Sequence, residues 1–292
     1  MILIAESLNI MSQSIGPALK GRDPKPVQEM AKTQDAAGAD YIDLNIGPAR
    51  KDGEALMEWA VKTVQEVTDK PLSLDTTNLV AMEAGLKVCK NKTLMNSISL
   101  QPDRLGPGLN VAKKYNSELI GLLWGAEGMP RDANERAVLA VDFVYKANEL
   151  GIPTENIWID PIVSPVSVEI NQVKACLEFT AMLHELAPGC KSTCGLSNIS
   201  NGTPANLRPY LNRTYMIMLM RNGMYSAIVD VFDTELVKIA RGEKPELVKL
   251  VHRLMDGEQI DISSLSPEDA KYARTVRVLT GASLYSHSWL EV

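Results

Sequence analysis

The chain is poor in the residues that many chemistries depend on. Its 292 residues include only four cysteines, three histidines, three phenylalanines and four tryptophans, and aromatics make up 5%. Four cysteines at this length cannot frame a disulfide scaffold. Only Cys190 and Cys194 lie close together, as CKSTC, and no second pair or neighbouring histidine completes a metal site. Positive charge is scarce too: net charge is −6, and no basic run interleaved with aromatics forms the footprint of a nucleic-acid binder. No apolar run approaches the ~18 residues of a membrane span, and MILIAESLNI lacks the basic and apolar regions of a secretory leader. A cytoplasmic protein with neither nucleic acid nor membrane as partner is expected.

Short apolar segments are plentiful. They recur near 2–5, 41–46, 71–75, 93–98, 118–123, 156–160, 192–197 and 226–231, and helical spacing fills most of the intervals, with Gly38, Gly85, Gly151 and Gly223 as stop signals. Eight strand–helix units without a doubly wound fingerprint predict a parallel (β/α)8 TIM barrel over residues 1–240. Three further helical segments, after Asp233, after Pro245 and from Ser266, predict a helical C-terminal extension over 241–292 that packs on the barrel or on a dimer partner.

The strands carry polar residues where a core strand should end. YIDLNIGPAR holds Asp43 and Asn45, PLSLDTTN holds Asp75 and Asn78, and LMNSIS holds Asn96 and Ser97. NIWIDP ends at Asp160, CGLSNIS carries Ser197 and Asn198, AIVDVFD has Asp230, and ILIAESLN has Glu6 and Asn9. Capping of the following helix would explain any one of these. Seven ends of eight are better explained by the shared rim of a barrel, where strand ends converge on one pocket.

The rim is rich in carboxylates and amides. His184, His252 and His287 lie away from the strand ends, so a His-centred metal or a Ser-His-Asp triad is unsupported and no metal ligands are assigned. GLSNIS lacks the second glycine of a nucleophile elbow. Buried Asp and Asn suit a planar heterocycle: a carboxylate accepts two parallel N–H bonds from a 2-amino-4-oxo-pyrimidine edge, and an amide both donates and accepts. Pterins and purines share that edge.

IAESLN, YIDLNIGPA, SLDTTN, MNSIS, WIDP and GLSNIS, in this order, resemble the pterin-binding methyltransferases that move a methyl group from methyltetrahydrofolate to the cobalt of a corrinoid protein. The resemblance runs from about residue 1 to residue 235 and extends to dihydropteroate synthases and the folate domain of cobalamin-dependent methionine synthase. It implies that Asp75, Asn96 and Asp160 hold the pterin ring, that Asn198 approaches N5, and that Gly195, Ser197 and Arg208 line the same pocket. Glu6, Asn9, Asp43 and Asn45 would support it. Methyltetrahydrofolate or tetrahydrofolate would be substrate. The cobalt would come from a separate corrinoid protein, an iron–sulfur one among the members that match best, and the enzyme would be a homodimer.

This chain has AES where the family has GER or GEK, and the loop WGAEGMPRDANER and the extension also depart from the pattern. The alternatives are a dihydropteroate synthase, though NIMSQSIGP lacks the TPDSF-like sequence of those enzymes, and a folate-binding or corrinoid-docking subunit without turnover. No Asp-x-His-x-x-Gly motif binds cobalamin in this chain, since His252 in VHRLMDG has no preceding Asp.

Overall fold

The computed structural model describes residues 1–291. Its eight strands are β1 Ile2–Asn9, β2 Tyr41–Asn45, β3 Leu72–Asp75, β4 Leu94–Ser99, β5 Glu118–Leu122, β6 Ile157–Asp160, β7 Lys191–Ser192 and β8 Ser226–Val229. The helices are α1 Gly16–Gly21, α2 Pro24–Ala36, α3 Gly53–Gln65, α4 Leu79–Val88, α5 Pro102–Tyr115, α6 Ala133–Glu149, α7 Ile170–Leu186, α8 Arg208–Arg221, α9 Thr234–Ala240, α10 Pro245–Met255 and α11 Pro267–Leu279.

The strands pair in parallel in the order β7-β6-β5-β4-β3-β2-β1-β8. The ring closes between β8 and the chain after β7: Ile228 N donates to Cys194 O at 2.8 Å, and Ser226 Oγ donates to Ser192 O at 2.9 Å. The expected (β/α)8 barrel is therefore present. Strand β7 is shorter than its predicted span of 192–197, because the chain leaves the sheet and winds into a short 3-10 turn at Leu196–Ser200.

Sequence spacing also missed α5. Gly106, Pro107 and Gly108 sit inside it, and two glycines and a proline cost a helix roughly 5 kcal/mol against alanine. Burying Leu105 and Leu109 returns an amount on that order. Gly108 is required besides, since a Cβ there would come within 2.8 Å of Ile98.

Alternation along the strands decides what faces the barrel axis. Ile4, Leu94, Ile120 and Trp158 form a buried plug, with Ile2, Tyr41 and Ile228 packed against it. Beneath it Glu118, 5% exposed, accepts from Lys191 Nζ at 2.6 Å and Tyr41 OH at 3.2 Å. Two residues beyond the plug, towards the strand C-termini, stand Glu6, Asp43, Asn96, Asp160 and Asp230.

Helices α10 and α11 pack on α8. Val251, Val276, Leu279 and Trp289 share one apolar core with Leu211, Tyr215 and Val229 of the barrel, and Trp289 Nε1 donates to Thr275 Oγ1 at 3.0 Å. Among the described residues no helix is long and apolar enough to cross a membrane.

Candidate active site

Two β-bulges shape the C-terminal rim. The β1–β2 register shifts between Ala5 and Leu8, and the β4–β5 register shifts between Met95 and Ile98. A bulge re-aims the side chains it carries, here Glu6 and Asn96.

Asp43, 3% exposed, is the hub of the first network: it accepts from Ser73 Oγ at 2.6 Å and Asn96 Nδ2 at 3.0 Å. One layer above, Asn45 Nδ2 donates to Asp75. Burial raises the Asp43 carboxyl to about 6 against the pull of these two donors. Asp75 is pushed well above the usual carboxylate range, first by burial and then by the charge of Asp43, while Asn45 draws it back. Ser73 was not foreseen, although its place two residues before Asp75 puts it on the same face.

Asp160 stands across the rim with its own support. Burial lifts it to about 6, opposed by the Ile162 N–H at 2.8 Å and the positive charge of Arg136. Arg136 is fully buried in α6 and donates to Pro161 O at 2.8 Å and Gln172 Oε1 at 2.7 Å, which pins the segment after β6. Nothing in the sequence distinguishes this arginine from surface ones.

The third group lies between β1, β8 and α8. Ser197 Oγ donates to Glu6 Oε1 at 2.7 Å. Both line a cavity of about 450 Å³ together with Arg208, Asn212, Asp230 and Asp233. Burial raises Glu6 to about 7; Ser197 and Arg208 work against it, and the charges of Asp230 and Asp43 add to it. Arg208 Nε donates to Ser200 Oγ at 3.1 Å. Asn198 lies exposed on the 3-10 turn and accepts from Asn201 Nδ2 at 3.2 Å. Gly195 admits it: a Cβ at 195 would sit 3.0 Å from Asn198 Nδ2.

Capping and site duties coexist at the strand ends. Asn9, Asn45, Asp160 and Asp230 each use one side-chain oxygen to hold the backbone N–H two residues on, at 2.8 or 2.9 Å. Each turn ends its strand and fixes its side chain, leaving the second polar atom for the rim. Asn78 alone among the residues noted there is a plain helix cap, accepting from Val80 N and Ala81 N.

The mouth thus presents several carboxyls whose titration burial moves up towards neutral pH, with amides between them and, among the described residues, no lysine or histidine. Such a set binds a flat, donor-rich ring through its edge. Comparison with known proteins agrees with this chemistry. The sequence profile of the family described as "Pterin binding enzyme" matches residues 5–230. A methylcorrinoid:tetrahydrofolate methyltransferase of Eubacterium limosum is 30% identical over 235 residues, 79% of this chain and 85% of that protein. Methionine synthase of Mycobacterium tuberculosis is 25% identical over 241 residues, 78% of this chain and 20% of that much longer protein. Among solved structures, dihydropteroate synthase from Vibrio fischeri superposes with a TM-score of 0.63 at 16% identity, covering 83% of this chain and 93% of that one. The Thermus thermophilus enzyme gives 0.60 at 18%, covering 84% and 94%. At these identities the two structures speak for the fold alone.

Proposed function

Since the chain belongs to the pterin-binding enzyme family, we propose that it transfers a methyl group between N5 of tetrahydrofolate and the cobalt of a separate corrinoid protein. The observation that carries this reading is the rim itself, with Asp75, Asn96 and Asp160 at three strand ends beside Asn198 at the lip. Asp75 and Asp160 would accept the N–H groups of the pterin edge, and Asn96 would pair with a ring nitrogen or oxygen. Asn45 holds Asp75, Asp43 with Ser73 behind it holds Asn96, and the Ile162 N–H holds Asp160. Asn9 and Gly195 shape the lip on either side.

An N5 amine is a poor leaving group unless it gains a proton or a strong hydrogen bond as its bond to the methyl carbon breaks. Asn198, exposed on its turn, is the amide we assign to N5, where a donor placed for the transition state lowers the barrier. The cobalt is a substrate carried by the partner, which would dock over the mouth. A corrinoid iron–sulfur protein is one such partner. Self-association into a homodimer belongs to the same proposal, and α6 leaves Val138, Val141 and Tyr145 exposed as an apolar stripe of the kind subunit contacts cover.

The deciding experiment mixes the pure protein with methyltetrahydrofolate and cob(I)alamin and follows the absorbance of methylcobalt, then repeats the reaction from methylcobalamin and tetrahydrofolate. Transfer in either direction supports the assignment. Binding of a pterin pyrophosphate without transfer would replace it with the synthase chemistry, and tight folate binding with no transfer to free or protein-bound corrinoid would leave a docking subunit.

A further inference from the structure

The proton that N5 must gain or lose has no obvious source among Asp75, Asn96, Asp160 and Asn198, which are committed to holding the ring. The cavity between β1 and β8 offers one. We propose, resting on the methyl-transfer reading, that Glu6 stores this proton and exchanges it with the N5 end of the pocket through the Ser197 hydroxyl.

The geometry supports a relay. Ser197 Oγ lies 2.7 Å from Glu6 Oε1, and Ser197 immediately precedes Asn198 on the Leu196–Ser200 turn. The Ser197 hydroxyl can pass one proton on while accepting another. Glu6 lines the 450 Å³ cavity, so its carboxyl can be recharged by water. The groups facing it come from four elements: Asp43 on β2, Asp230 after β8, Arg208 at the start of α8, and Ser197 itself. The Arg213–Asp233 pair across the cavity neutralises itself through a bidentate contact at 2.7 and 2.9 Å. Asn212 Oδ1, a buried acceptor without a protein partner, also lines this space and would orient a water there.

The balance closes in both directions. When the methyl leaves N5, the N5–carbon pair stays on nitrogen, Co(I) supplies the pair for the new carbon–cobalt bond, and N5 takes the proton from Glu6, which water then restores. In reverse, the N5 amine attacks the methyl, the carbon–cobalt pair returns to cobalt, and the N5 proton passes to the Glu6 carboxylate. A group that titrates near neutral serves both as acid and as base.

Glu6→Gln keeps the shape and removes the exchangeable proton. The expected result is a transfer rate about a hundredfold lower, loss of the near-neutral limb of the pH–rate profile, and methyltetrahydrofolate affinity within about threefold of the parent by calorimetry. Infrared difference spectroscopy of the resting protein gives a readout independent of turnover: beside the Asp43 and Asp160 carboxyls, which titrate near 6 in both proteins, the parent shows a carboxyl band titrating near 7 that the variant lacks. Ser197→Ala should keep that band and lose the rate. A variant that retains the rate and the limb, or the band, overturns the role of Glu6. A parent that binds no methyltetrahydrofolate and methylates no cobalt overturns the functional reading instead, whatever the infrared band does.

Discussion

Asp160→Asn should make the empty protein more stable and the enzyme worse. The Asp160 carboxyl is 9% exposed, and burial lifts it from 3.8 to about 6. A shift of about two units corresponds to ~3 kcal/mol that the folded state gives up to keep this group ionised above pH 6. The sign follows from the proton count. Between pH 4 and 6 the folded chain holds a proton that the unfolded chain has lost, so stability falls as pH rises through that window and stays lower above it. Asparagine carries no charge and can still accept the Ile162 N–H. At pH 7.5 the variant is expected to gain up to ~3 kcal/mol, on the order of 5 °C in Tm for a chain of this size. Below pH 4 parent and variant should coincide.

Binding should move the other way. A pterin edge that donates to Asp160 restores the solvation that burial removed, and two charge-assisted bonds are worth about 2 to 4 kcal/mol, so methyltetrahydrofolate should bind at least thirtyfold more weakly to the variant. In the parent, affinity should fall as pH drops through 6, with proton release on binding just below that pH. Thermal scans across pH 3.5–8 and calorimetry in buffers of different ionisation enthalpy read both effects. A variant that is no more stable than the parent at pH 7.5 and binds folate equally well would refute the assignment of Asp160 as a charge held in readiness.

Asn198→Ala should lower transfer by roughly a hundredfold, the usual loss for one transition-state donor, and weaken folate binding as well, as steady-state assays with cob(I)alamin would show. Glu118→Gln, at the opposite end of the barrel, should cost about 2 to 3 kcal/mol because it leaves Lys191 beneath the plug without its anion, yet leave folate affinity unchanged. Gly121→Ala drives a Cβ to 2.7 Å from the Phe143 ring and should destabilise by about 1 to 3 kcal/mol in denaturant melts, since α6 must back away from β5.

The barrel was legible because its strands are short apolar runs separated by amphipathic helices, a pattern that survives local errors. Where the sequence misled, local signals competed with packing. Gly106, Pro107 and Gly108 argue against a helix, yet α5 forms because Leu105 and Leu109 need burial and Gly108 fits against Ile98. Strand β7 is regular only at Lys191–Ser192: the chain touches β8 again at Cys194 and Gly195, and Leu196 then begins the turn that takes it out of the sheet and presents Asn198. The rim acids were visible as interruptions of apolar runs. Ser73 and Arg136 were not, the first because serine in a strand carries no signal and the second because an arginine in a helix reads as surface until its burial is known.

The arrangement of charge explains why the rim carries this many acids. Asp43, Asp75, Asp160 and Glu6 are all pushed upward, and in each case burial is the largest cause. A rim built only for stability would pair them with arginine, as Asp233 is paired with Arg213. Instead the donors next to them are neutral: Ser73, Asn96, Asn45, Ser197 and the Ile162 N–H. Neutral donors orient a carboxylate without compensating its charge, so each acid remains able to accept further N–H bonds. The free energy given up in the empty barrel is then available to a ring that brings those donors with it, and a ligand that lacks them gains nothing from the same pocket. Discrimination between a pterin and an apolar heterocycle of equal size should therefore narrow as pH falls below 6, where protonation removes the charges of Asp43 and Asp160; a selectivity ratio independent of pH would show that shape alone governs binding.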